Sequence, residues 1–228
     1  VNHPTALHRE GFAIAAQLLA VSELNTLCIA ADELHAAHSR PPAGVRSPTS
    51  LHLAFDRVAR SDAVTALAAS LLDGPPRLVR SILFDKTPET NWDVVWHQDV
   101  TIAVKERIDV PGFGPWSTKQ GMHHVQPTAR VLERMVTLRI HLDDCGSTNG
   151  PLLVVPGSHA GGFIDVRMLD VADCERRAVA CTVSAGDCVA MRPLILHASK
   201  KALVPAHRRV LHLEFACEDL PGGLAWAD

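Results

Sequence analysis

In Met135-Val136-Thr137-Leu138-Arg139-Ile140-His141-Leu142, apolar and polar residues alternate strictly from Val136 onward. A period of two marks a β-strand with one apolar and one polar face. The segment Arg208–Ala216 repeats the pattern: Leu211, Leu213 and Phe215 share one face, and Arg208, Val210, His212 and Glu214 the other. Most half-buried antiparallel sheets turn the apolar face to the core and the charges to water. The first part of this chain reads as helices, however, and those helices must cover something. If they cover the apolar faces, then Thr137, Arg139, His141, Arg208, His212 and Glu214 line an interior. Buried charge is costly unless a ligand or metal meets it, so an interior of that kind is a site.

The helical part begins with Ser22 as N-cap of a helix from Glu23 to Ala37, where Leu24, Leu27, Cys28, Ala31 and Leu34 form a stripe. Arg40-Pro41-Pro42-Ala43-Gly44 ends it as a loop. A second helix fits Ser61 to Leu72 and is closed by Asp73-Gly74. From Arg77 onward the chain changes to short β-type runs: Arg77–Phe84, Trp92–Asp99, Met135–Leu142, Leu152–Val155, Cys188–Arg192, Leu194–Ser199 and Arg208–Ala216. Ser147-Thr148-Asn149-Gly150 is a strong turn signal between two of them. The order predicts an α+β, mainly β chain: a jelly-roll core over 77–216, with a mainly helical support over 1–76 packed on its major sheet. One domain spans 1–228. Within it, 101–131, with Pro111-Gly112-Phe113-Gly114-Pro115, reads as an excursion or lid.

Bulk properties exclude several classes. The chain has 228 residues, 47% hydrophobic and 21% charged, with a formal charge of −3 and no block of like charge. Nothing there points to nucleic acid or to an anionic membrane surface. No apolar run approaches the length of a membrane span, and Val1-Asn2-His3-Pro4 has no signal-peptide pattern. Six scattered cysteines without a Cys-X-X-Cys read as reduced thiols of a cytoplasmic protein rather than a zinc knuckle. Thirteen histidines mean that any one of them needs positional support before it is read as a ligand.

Trp96-His97-Gln98-Asp99 supplies such support, because His197 answers it a hundred residues later. On a strand, a His-X-Asp pair places both side chains on one face. With a distant histidine it forms the two-histidine, one-carboxylate set that holds one face of a non-haem Fe(II) and leaves the other open. Trp96 and Gln98 alternate away, so their default role is packing. His123-His124 are read as surface or lid residues and His159 as a loop-shaping one, while His141 and His212 line or border the interior without an assigned role.

Leu83-Phe84-Asp85-Lys86-Thr87-Pro88 followed by Trp96-His97-Gln98-Asp99 resembles the metal-binding segment of the phytanoyl-CoA dioxygenase family. Asn149-Gly150-Pro151-Leu152 through Pro156-Gly157-Ser158-His159 resembles its characteristic turn, and His197-Ala198-Ser199 with Arg208 its distal histidine and cosubstrate arginine. The resemblance runs from about Arg77 to Ala216. It implies a double-stranded β-helix (cupin-like) fold and an Fe(II)- and 2-oxoglutarate-dependent dioxygenase that uses O2. By the same resemblance His97, Asp99 and His197 bind iron, and Arg208 pairs with 2-oxoglutarate, helped by Ser199. Arg209 is the rival for that role, but lies on the face of Leu211. Arg139 departs from the apolar or aromatic residue frequent at its position; it would contact 2-oxoglutarate or anchor an acidic substrate. Trp116 is a second candidate for substrate contact, and Lys105 and Arg107 add to the case for an acidic substrate. Halogenating members replace the carboxylate ligand with a small residue, so Asp99 favours hydroxylation of a small-molecule metabolite. Desaturation, cyclisation or carbon–phosphorus cleavage on the same centre remain open, as do a non-catalytic 2-oxoglutarate- and metal-binding sensor and a metal-free or zinc-filled cupin-like domain. Oligomeric state is not legible.

Overall fold

The structure, a computed structural model, describes residues 2–37 and 44–227. Helix α1 (His3–Glu10) ends at Gly11, whose φ of +81° suits the left-handed cap. Strand β1 (Phe12–Ala15) follows, then α2 (Val21–Ala36). The cap of α2 differs from the expectation. Ala20 is the N-cap and the Glu23 carboxylate accepts its N–H at 2.9 Å. A charged acceptor there makes the Ser22 hydroxyl unnecessary, and Ser22 sits inside the first turn. Of the expected Arg40–Gly44 loop, 40–43 lie outside the described residues, and Gly44 opens β2 (Gly44–Arg46). Three short helices come next: α3 (Pro48–Leu51), α4 (Leu53–Ala59) and α5 (Asp62–Leu71), the last capped by Ser61.

The remaining strands are β3 (Arg77–Lys86), β4 (Val94–His97), β5 (Ile102–Val104), β6 (Trp116–Lys119), β7 (Met122–Val125), β8 (Met135–His141), β9 (Leu152–Val154), β10 (Val179–Cys181), β11 (Cys188–Met191), β12 (His197–Ser199) and β13 (Arg208–Ala216). Helix α6 (Ala129–Glu133) precedes β8, and α7 (Val171–Arg177) precedes β10. They form three antiparallel sheets, a six-stranded one in the order β1-β11-β8-β13-β3-β2, a four-stranded one in the order β10-β9-β12-β4, and a small one in the order β5-β7-β6. The helical segment is therefore not helices alone, since β1 and β2 close the two edges of the largest sheet. The excursion 101–131 is also ordered, as the small sheet plus α6. Its hairpin turns at Gln120-Gly121, both with positive φ, which a two-residue connection requires.

The apolar faces lie where the helices cover them. Val136, Leu138, Ile140, Leu211, Leu213 and Phe215 join Leu27, Ala30, Phe55, Val64 and Ala68 in one buried cluster. On the opposite face, Val189 and Met191 of the six-stranded sheet pack against Leu152 and Val154 of the four-stranded one. The two sheets thus face each other. Arg80 and Lys86 of β3, Thr137, Arg139 and His141 of β8, and Arg208, His212 and Glu214 of β13 point into the space between them, while Asp85 and Arg209 turn to the helical side. The outer face of the four-stranded sheet buries Trp96 and Ala198 against Cys174 of α7. No helix among the described residues is long and apolar enough to cross a membrane.

Candidate metal centre and its pocket

His97 ends β4 directly opposite His197 of β12, and their ring centroids are 4.2 Å apart. Asp99 follows on an extended segment held by its own N–H, which donates to Pro193 O at 2.9 Å. Gln98, pointing away, fixes the segment from behind. Its amide donates to Leu194 O (2.7 Å) and Gly162 O (2.8 Å) and accepts from Ile164 N–H (2.9 Å). Gln98 is therefore a clamp as well as packing, a role its alternation alone did not reveal.

The ligand atoms of His97, Asp99 and His197 lie within 4.8 Å of one another. Each imidazole Nδ1 faces a main-chain carbonyl two residues back, Val95 O at 2.8 Å and Ile195 O at 2.9 Å. A carbonyl only accepts, so both Nδ1 atoms carry the proton and both Nε2 atoms present lone pairs. Those lone pairs face the Asp99 oxygens at 3.9 and 3.7 Å, beyond hydrogen-bond reach. Three acceptors converge with no proton between them, which a cation satisfies. Burial pushes the His197 imidazole down to about 4, against the pull of Asp99, so the ring is neutral at neutral pH. Burial opposes ionisation of Asp99, yet His197, His212, His97 and Arg80 together hold its carboxyl well below the usual range. Two imidazoles and a carboxylate are the donor set a divalent metal takes.

A cavity of about 90 Å³ opens beside these residues, walled by Phe84, Trp92, Arg139, Ser199, Arg208 and His212 among others. Cross-strand register arranges its floor. Arg208 is the partner of Lys86, His212 stands between Ile82 and Arg139, and Glu214 stands between Arg80 and Thr137. At one end, Arg208 and Lys86 are both buried. Lys86 donates to Ser199 Oγ (2.9 Å) and Lys200 O (2.7 Å). Arg208 donates to Ser199 Oγ (3.1 Å) and to Gly150 O, and its Nε has no partner. Burial, then Arg208, lowers the Lys86 ammonium to about 8. Arg208 walls the cavity, with Lys86 its buried register partner outside the wall, and a guanidinium with no carboxylate bonded to it can receive an anion there. Lys86 escaped the sequence reading, which ended this strand at Phe84.

Arg209 lies outside, bonded to Asp143 (2.6 Å) and to Asp32 of α2 (3.0 Å). Trp116 opens β6 of the small sheet and is half-buried against its apolar cluster, with the Arg107 guanidinium 5.4 Å from its ring centre, and does not line the cavity. Lys105 and Arg107 are exposed. His159 approaches His8 O at 3.1 Å and packs its ring on Gly11, as a loop-shaping residue does. His124 is buried against Met122 O, and His141 is buried with neither ring nitrogen bonded.

Residues 7–210 match the family model for phytanoyl-CoA dioxygenase (PhyH). No curated protein sequence matches the chain. Among solved structures, the chain is similar to the epimerase SnoN in complex with Fe3+, α-ketoglutarate and nogalamycin RO (TM-score 0.73, 18% identity, 97% of this chain and 90% of that one). It is similar to EctD from S. alaskensis with 2-oxoglutarate and 5-hydroxyectoine (TM-score 0.72, 19% identity, 94% of this chain and 74% of that one). AviO1 from Streptomyces viridochromogenes Tue57 aligns with TM-score 0.69 at 26% identity, over 96% of this chain and 94% of that one.

Proposed function

The chain belongs to the phytanoyl-CoA dioxygenase family, and from that premise we propose that it is a non-haem Fe(II)- and 2-oxoglutarate-dependent dioxygenase acting on a small molecule, with hydroxylation as its outcome. The observation that carries this reading is the convergence of two imidazole lone pairs and a carboxylate with no proton among them. In this reading the facing sheets are the two halves of a double-stranded β-helix within one domain, and the metal lies at its mouth. Six unpaired cysteines, four of them buried, fit the cytoplasm.

Each residue then has a defined task. His97, Asp99 and His197 hold the metal on one face, and the Val95 and Ile195 carbonyls hold both imidazoles in the ligand tautomer. Fe(II) bound there supplies the O2 activation that couples decarboxylation of 2-oxoglutarate to oxidation of a C–H bond. Arg208 and Lys86 seat the distal carboxylate of 2-oxoglutarate, and Ser199, already bonded to both cations, keeps them aligned. The planar guanidinium suits a carboxylate in bidentate geometry. Substrate contact falls to Arg139 rather than Trp116, since Arg139 is in the cavity wall. Succinate formation from 2-oxoglutarate, dependent on Fe(II) and O2, tests the reading. We expect His97→Ala to fall to the enzyme-free background. Undiminished succinate from that variant would remove the metal assignment, and a wild type that binds 2-oxoglutarate without turning it over with any substrate would point to a sensor.

A further inference from the structure

We infer that the oxidised substrate carries an oxyanion, a carboxylate or a phosphate, and that Arg139 is the residue that receives it. The inference rests on the oxygenase reading above and adds the substrate class to it.

Arg139 is 8% exposed in the middle of the interior face of β8. Its guanidinium lies 5.7 Å from the ring centre of Phe84, Nη1 donates to His212 Nδ1 at 2.9 Å, and Nε has no partner. Because a guanidinium only donates, His212 accepts at Nδ1 and carries its proton on Nε2. That proton goes to Glu214 Oε1 at 3.1 Å, and the same oxygen is already paired with Arg80 at 3.0 Å. Arg139 therefore rests on the His212 imidazole, Glu214 is committed to Arg80, and the other carboxylate that acts on Arg139, Asp99, is a metal ligand in this reading. A buried cation left without an anion is strongly unfavourable, and such a group persists where a ligand completes it.

The cosubstrate cannot complete all of these cations. Its distal carboxylate has Arg208 and Lys86, and its other end belongs to the metal. A divalent metal, Arg208, Lys86 and Arg139 together outweigh Asp99 and a dicarboxylate, so positive charge is left over beside Arg139. The excess continues toward the hairpin. Arg46 of β2 is the register partner of Ile82, with Val45 beside it turned to the helical core. Burial, then Arg80, lowers the Arg46 guanidinium; burial, then Arg80 and Arg46, lowers the Lys119 ammonium at the tip of the hairpin. Glu214 is already shared between Arg80 and His212. Lys105 and Arg107, the cations first suspected, are exposed outside this arc. Unlike Lys119, Arg46 and Arg80, Arg139 walls the cavity with Asp99 and His197, so an anionic substrate beside the metal would end at Arg139.

The test is calorimetry on the Ni(II)-loaded, full-length protein saturated with 2-oxoglutarate, titrated with benzoate and phenyl phosphate against the neutral probes benzamide and benzyl alcohol. We expect one of the oxyanions to bind at least about tenfold tighter than its neutral counterpart. Arg139→Met should erase that preference and shift 2-oxoglutarate affinity by less than about threefold, while Arg139→Lys should retain part of the preference. Equal binding of charged and neutral probes would overturn the inference. So would a loss of 2-oxoglutarate affinity in Arg139→Met as large as in Arg208→Met, which would assign Arg139 to the cosubstrate. Failure of the wild type to bind 2-oxoglutarate at all is a separate result and overturns the oxygenase reading on which the inference stands.

Discussion

Arg208 and Arg209 leave β13 on opposite faces, the first into the space between the sheets and the second toward the helical layer. Arg209 meets carboxylates on that side, Asp143 and Asp32, and hydrogen bonding to Asp143 raises its guanidinium further. Arg208 is bonded to no carboxylate but to Ser199 Oγ, Gly150 O and the Cys145 thiol, and burial lowers its guanidinium. On the outer face Arg209 is answered by Asp143 and Asp32, and on the inner face Arg80 is answered by Glu214. On the inner face Arg208, Lys86 and Arg139 wait for something the chain does not provide. Charge satisfied by its own fold is structure, and charge left unsatisfied in a buried place is a binding site.

Substitutions on each face can break this contrast. Arg208→Met should cost the largest effect, a loss of 2-oxoglutarate affinity of about a hundredfold or more, because a buried charge pair with the ligand is removed. Calorimetry on the metal-loaded protein measures it, and an affinity within threefold of wild type would refute the seat. His141 offers the next largest effect and separates interior from site. Burial, then Arg139 and Arg208, pushes its imidazole from 6.5 to about 3. Below about pH 6.5 the unfolded chain binds a proton at His141 that the folded chain refuses until about pH 3. Stability from this group is therefore complete above 6.5 and falls as pH drops through that window, by up to about 1.4 kcal/mol per unit. Denaturant melts of His141→Leu should show about 2–3 kcal/mol less loss than wild type between pH 6.5 and about 4.5. Equal pH slopes would show that His141 does not bear this burden.

Smaller effects sharpen the picture further. Lys86→Met should weaken 2-oxoglutarate about tenfold, since Arg208 remains. Arg209→Met should move that affinity by less than about twofold while lowering stability by about 1–2 kcal/mol through the stranded Asp143. Chemical denaturation together with ligand titration separates the two, and a large affinity loss in the Arg209 variant would dissolve the distinction between the faces.

The alternation of Met135–Leu142 and Arg208–Ala216 left one binary choice of faces, and the metal reading of His97, Asp99 and His197 tipped it. His97, Asp99, His197, Ser199 and Arg208 were readable as a set, and the fold brings them to one cavity. Lys86 was not, although it is in phase with Phe84. Its meaning depends on the pairing of β3 with β13, and register is a tertiary fact that a single strand does not carry. The small sheet was missed for a different reason: Trp116–Lys119 is largely exposed and polar, so its alternation has no apolar face to announce it. Gln120-Gly121 was the available signal. The isolation of Arg139 could not be read at all, since it follows from Glu214 being taken by Arg80.

Anaerobic Fe(II) titration tests the central claim most directly. The account predicts one Fe(II) per chain in the wild type, 2-oxoglutarate binding that depends on that metal, and loss of both in His197→Ala with the fold retained by circular dichroism. Iron bound equally well by His197→Ala would contradict it.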